Sequence, residues 1–121
     1  MYTSFHAPWQ DIPIFTKTYQ LYKSFYEILS TFPRKDRYTL GQKSEIAILE
    51  VLEAIIVASN MPKQEKLPIL KMASMKLDIV RVFLKLARDI KALEIKKYQV
   101  LESQTEEVGR MLGGWIKTVL S

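Results

Sequence analysis

The chain has no cysteine, which excludes disulfides, thiolate metal sites and a cysteine nucleophile. It has one histidine, His6, in an N-terminal stretch without helical or strand periodicity, so neither a histidine metal site nor a catalytic triad can be assembled. Four glycines in 121 residues leave no material for a glycine-rich phosphate loop. No apolar run reaches the roughly 18 residues needed to cross a membrane, and the stretch Ala54-Ile55-Ile56-Val57-Ala58 is typical of the longest. Pro8, Asp11 and Pro13 interrupt the N-terminal region where a signal peptide would need an apolar core, so a cytoplasmic home is expected. These absences argue against an enzyme, and no metal, cofactor, membrane or small-molecule substrate is expected.

What is present is the material of one soluble domain: 48% hydrophobic and 26% charged residues. Apolar positions recur at spacings of three and four, and no convincing stretch alternates with period two. Residues 1–12 read as an N-terminal arm carrying Tyr2, Phe5 and Trp9, and residues 13–121 as the folded domain. A first helix is expected to start after Pro13 and run to about Thr31, with Leu21, Phe25, Ile28, Leu29 and Phe32 on its inner face. Phe32-Pro33 ends it, and Pro33 to Tyr38 reads as a short polar loop. A second helix is expected from about Leu40 to Ser59, and a third from about Gln64 to Leu93, with Pro68 close enough to its first turn to be tolerated. After a break near Glu94 and Ile95, a fourth runs from about Lys96 to Leu120, with Tyr98, Leu101, Val108, Leu112, Trp115 and Ile116 inward. The expected fold is an all-α, antiparallel up-down four-helix bundle.

The third helix is too apolar for a single buried stripe, because it contains neighbours such as Ile79-Val80 and Val82-Phe83-Leu84. Exposed apolar surface of that kind marks contact with another chain, so a symmetric homo-oligomer is expected; a wide core stripe is the plainer alternative. The methionines Met61, Met72, Met75 and Met111 suit core or interface gaps. Tyr19, Tyr22 and Tyr26 have core-like spacing and read as packing residues.

Net charge is +5, and its distribution is uneven. Residues 1–60 carry six basic and six acidic side chains, residues 61–99 ten against four, and residues 100–121 two against three. On the third helix Arg81, Lys85 and Arg88 fall within an arc of roughly 60°, with Ser74 on the same line and Lys91 at its edge. Such a stripe can bind the phosphates of RNA or DNA. It can equally be a solvated face, with Arg81 paired to Asp78. The loop cluster Arg34, Lys35 and Arg37 carries the same two readings. Glu102, Glu106 and Glu107 lack a histidine partner and read as an exposed acidic face.

Two stretches resemble a known family. Phe32-Pro33-Arg34-Lys35-Asp36-Arg37-Tyr38-Thr39-Leu40-Gly41 is similar to the junction of the first two helices in the four-helix bundles that include the 23S ribosomal RNA intervening-sequence proteins. Glu107-Val108-Gly109-Arg110-Met111-Leu112-Gly113-Gly114-Trp115-Ile116 resembles the last helix of the accessory variability determinant of diversity-generating retroelements. The pattern of helices and loops matches from about Ile14 to Leu120. Gly109 and Gly113 cost roughly 1 kcal/mol each in a helix, which makes sense where another helix approaches, with Trp115 as a buried anchor beside them. The resemblance implies a homopentameric ring with a basic outer surface. It also implies binding to the element's reverse transcriptase and template RNA, in a role that assists error-prone cDNA synthesis without catalysing it. Without a retroelement, a structural or protein-interaction bundle is the alternative.

Overall fold

The computed structural model describes residues 12–121, and the arm expected over residues 1–12 therefore lies outside the described residues except for Ile12. Four long helices follow one another: α1 Pro13–Leu29, α2 Gln42–Ser59, α3 Lys63–Asp89 and α4 Ile95–Leu120, with no strand among the described residues. α1 packs on α2 and α4, and α3 packs on the same two, so the helices occupy the corners of an antiparallel four-helix bundle. Leu21, Phe25, Ile48, Ile55, Leu77, Leu84, Leu101 and Leu112 fill the centre. Three buried hydroxyls lie among them. Thr18, Ser44 and Thr105 each donate to the carbonyl four residues back, so each is satisfied by the turn that precedes it.

Polar contacts bridge every neighbouring pair of helices. The Tyr22 hydroxyl donates to Glu45 at 2.9 Å between α1 and α2, and Lys76 meets Glu50 at 3.1 Å between α2 and α3. Arg81 meets Glu106 at 3.1 Å between α3 and α4, and Lys17 meets Glu107 at 3.7 Å between α1 and α4. Such half-exposed pairs add little stability individually but favour one register of the helices over a slipped one.

Three boundaries differ from the sequence expectation. The stretch from Arg34 to Tyr38 is not a loop: Arg34–Asp36 form a helical turn, and Arg37–Gly41 a π-helical turn leading into α2. Gly41 is buried there, and a Cβ would stand 2.5 Å from the Leu29 Cδ1 and 3.1 Å from the Asp36 carbonyl oxygen. An alanine there would have to push the Leu29 side chain aside and crowd that carbonyl. Pro68 is not in the first turn either, because α3 begins at Lys63 and Pro68 is its sixth residue. It withholds an N–H from the Gln64 carbonyl; both residues are exposed, which leaves that carbonyl to water.

α3 also ends earlier than the pattern of apolar residues suggests. The Ala92 N–H bonds to the Ala87 carbonyl at 2.9 Å and the Lys91 N–H to the Arg88 carbonyl at 3.0 Å, while Lys91 has φ 66°. This is a Schellman termination with lysine in the left-handed position usually held by glycine. Buried Ala87 and Ala92 close over it.

Candidate nucleic-acid interface

The two arginines of the basic stripe of α3 lean against α4, whereas Lys85 between them is exposed. The Arg81 guanidinium donates to Asp78 at 2.6 Å and to Glu106 at 3.1 Å. It reaches Glu106 by crossing Gly109, where a Cβ would collide with Nη2 of Arg81. The close approach at Gly109 is thus made by an arginine side chain, not by a second helix backbone. Gly113 and Gly114 meet nothing within 4 Å, and Trp115 is half-buried with the Lys66 ammonium 5.8 Å above its ring. The expected packing role therefore has a contact within this chain only at Gly109.

Arg88 sits 4.7 Å above the Tyr98 ring and donates to Asp89 at 2.8 and 3.0 Å. Its hydrogen bond to Asp89 holds its pKa above the ordinary value. The Tyr98 hydroxyl donates to Glu102 at 3.0 Å, and burial, reinforced by that carboxylate, pushes the phenol upward. Glu102 and Glu106 of α4 are exposed, as expected, and they line a small pocket with Arg81, Lys85 and Tyr98. Lys85 and Lys91 are exposed, and neither forms an ion pair among the described residues. Of the four basic residues singled out on α3 and just past its end, these two present uncommitted charge.

The loop cluster divides. Arg37 donates to the carbonyls of Ser30 at 3.2 Å and Phe32 at 3.1 Å, tying down the chain where α1 has ended. Arg34 and Lys35 are exposed. They follow Pro33, which lines a shallow hollow of about 720 Å³ together with Arg88, Lys91 and Lys97. Two clusters separated by about fifty residues in sequence thus share one end of the bundle. Asp89 and Glu94 also line that hollow. Lys97 was not among the residues singled out from sequence; its signal was present in the charge excess of residues 61–99, but its place at the hollow depends on how α4 starts.

A second exposed feature lies on the other flank of α3. Met72, Met75, Ile79, Val82 and Leu86 are exposed at alternating spacings of three and four, within an arc of about 80° that does not overlap the basic one. Met72 and Met75 therefore do not fill the core. Tyr19 and Tyr26, expected as packing residues, are 49% and 64% exposed and continue a row with Phe15 and Tyr22 along α1.

The sequence matches the bAvd-like family over residues 13–119, the whole of the bundle but its last helical residue. The chain belongs to the bAvd-like family. Membership agrees with the resemblance carried by the Phe32–Gly41 and Glu107–Ile116 stretches, and it points to an accessory protein. No curated protein matches the chain. In this bAvd-like bundle no described helix is long and apolar enough to cross a membrane. No group of three or more metal-ligating His, Cys, Asp or Glu side chains comes together among the described residues.

Proposed function

We propose that this chain is a non-catalytic accessory protein of a diversity-generating retroelement. In this role it self-associates, pentamers being favoured, partners the element's reverse transcriptase, and holds template RNA or cDNA by its backbone. The family match over residues 13–119 carries the reading. The exposed charge of Lys85 and Lys91, with Arg34 and Lys35 at the same end of the bundle, supports the nucleic-acid part. These residues make the first phosphate contacts; Arg81 and Arg88 add theirs when phosphate displaces Glu106 and Asp89. Without base-reading elements such binding is insensitive to sequence and steeply salt-dependent, and repetition around an oligomer adds weak contacts together.

The test is a fluorescence titration of RNA and DNA at two salt concentrations. Replacing Lys85 and Lys91 by glutamate lowers the affinity and flattens the salt slope by about one unit per lysine engaged, with helix content unchanged. Glu106→Gln weakens the hold on Arg81 and raises affinity at low salt. Wild-type protein that binds neither RNA nor DNA at low salt refutes the reading and leaves a protein-interaction bundle.

A further inference from the structure

The junction between α1 and α2 carries one large side chain that the fold does not use. The other described tyrosines have partners: Tyr19 and Phe15 are ring neighbours, as are Tyr22 and Tyr26, and Tyr98 lies under Arg88. Tyr38 is 64% exposed, with no ring, cation or hydrogen-bond partner among the described residues. The backbone beneath it is held firmly. Arg37 is tied to the carbonyls of Ser30 and Phe32, the Thr39 hydroxyl donates to the Lys35 carbonyl at 3.0 Å, and Gly41 packs against Leu29. The π-helical turn Arg37–Gly41 thus presents the ring to solvent on a fixed support. Arg34 stands four residues earlier, about 6 Å away at the helical rise, with Lys35 beside it. Both are exposed, and neither forms an ion pair among the described residues. We infer that Tyr38 stacks on an unpaired base whose flanking phosphates are held by Arg34 and Lys35, so that this turn takes single-stranded nucleic acid. The inference rests on the nucleic-acid reading above and names the strand state that this surface selects.

The ligand class follows from what each side chain can recognise. Cations hold the phosphates of a duplex and of a single strand alike, so Arg34 and Lys35 do not discriminate between them. The ring does. In a duplex each base face is covered by the neighbouring pair, whereas an unpaired base offers its face to an aromatic side chain. Arg34 can meet a phosphate with its planar fork, and Lys35 adds a point charge on a flexible stem. Every base has a face, so this stacking leaves binding insensitive to sequence, as the backbone contacts do. Asp36 is the only acid between Phe32 and Gly41, against three basic residues, which suits a polyanion. A hydrophobic protein partner fits less well. No leucine, isoleucine, valine or methionine lies between Arg34 and Thr39, so the ring stands among charged and polar neighbours rather than in an apolar patch.

Titrations with four ligands of equal length decide it: oligouridine, oligothymidine, a duplex RNA and an abasic deoxyribose-phosphate strand. Tyr38→Ala is expected to bind oligouridine, oligothymidine or both about tenfold more weakly, the loss of one base stack, and the strand affected tells RNA from DNA. Tyr38→Phe is expected to keep the wild-type affinity. Duplex RNA and the abasic strand are expected to bind Tyr38→Ala as they bind the wild type. The salt slope stays the same, because the substitution removes no charge. The side chain is exposed, so helix content by circular dichroism is expected to match the wild type. Unchanged affinity of Tyr38→Ala for both single strands overturns the inference and leaves backbone binding standing. An equal loss on all four ligands makes the ring a support of the turn and overturns it as well. Wild type that binds none of the four overturns it together with the nucleic-acid reading. Tyr38→Trp supplies a direct readout. Its emission beyond that of Trp9 and Trp115 is expected to be quenched by the single strand that binds but not by the abasic one, and absence of that quenching refutes stacking.

Discussion

Lys91 combines two demands that oppose each other. Its left-handed backbone closes the Schellman termination of α3, and a side chain in that conformation costs roughly 1 kcal/mol relative to glycine. Its exposed ammonium is one of the two uncommitted charges of the basic flank. Lys91→Gly is therefore expected to stabilise the fold by about 0.5–1 kcal/mol, read as a rise in melting temperature, while nucleic-acid affinity falls. A fall in both would mean that the lysine stem contributes packing that its exposure does not reveal. Arg37 gives the opposite lesson: its guanidinium is spent on the carbonyls of Ser30 and Phe32, so its charge is structural despite its basic neighbours.

At the level of one helix, α4 shows why identical residues in one motif play different parts. Gly109 faces α3 and lies under the Arg81 guanidinium, whereas Gly113, one turn on, faces empty space. Gly113→Ala gains the helix propensity of alanine with nothing to displace, an expected stabilisation of up to about 1 kcal/mol in thermal melts. Gly109→Ala gains the same propensity but pushes the guanidinium aside. Both side chains of the Arg81–Glu106 pair are about a third or more exposed, so its loss costs only some tenths of a kcal/mol. The net change at Gly109 is expected to lie close to zero, with the difference appearing in nucleic-acid binding as Arg81 is released. α3 divides its surface three ways, with the core stripe, the basic flank towards α4 and the apolar row at separate angles.

At the scale of the molecule, the polar bridges around the bundle include one phenol, Tyr22, and a second phenol, Tyr98, joins Arg88 to Glu102. Both are held above the ordinary phenol value of about 10, first by burial and then by the carboxylate each one faces. The folded state thus keeps protons that the unfolded chain sheds. This contribution to stability is complete below about pH 10 and is lost as pH rises through the folded values. Urea unfolding at about pH 9 and about pH 11 is expected to show a larger loss of midpoint for the wild type than for the Tyr22→Phe, Tyr98→Phe double variant. Equal losses would assign the alkaline sensitivity to other groups.

Helix number, order and approximate ends were legible in the sequence because they follow from local rules: apolar spacing, proline, and the cost of leaving backbone groups unpaired. The Phe32–Gly41 and Glu107–Ile116 stretches carried the family in the same way. The Schellman end at Lys91 escaped those rules, since nothing in the local sequence marks a lysine as left-handed. Exposure escaped them as well. Ile46, Tyr26 and Met75 have the spacing of core residues, and whether such a row faces inward depends on where the neighbouring helices lie. Charge pairing was decided in three dimensions too. Arg81 and Glu106 are 25 residues apart, and only the packing of α3 on α4 turns a basic stripe into two held arginines beside uncommitted Lys85 and Lys91. Periodicity is a property of one helix, whereas burial and charge compensation are properties of helix pairs, and those exist only once the bundle has formed.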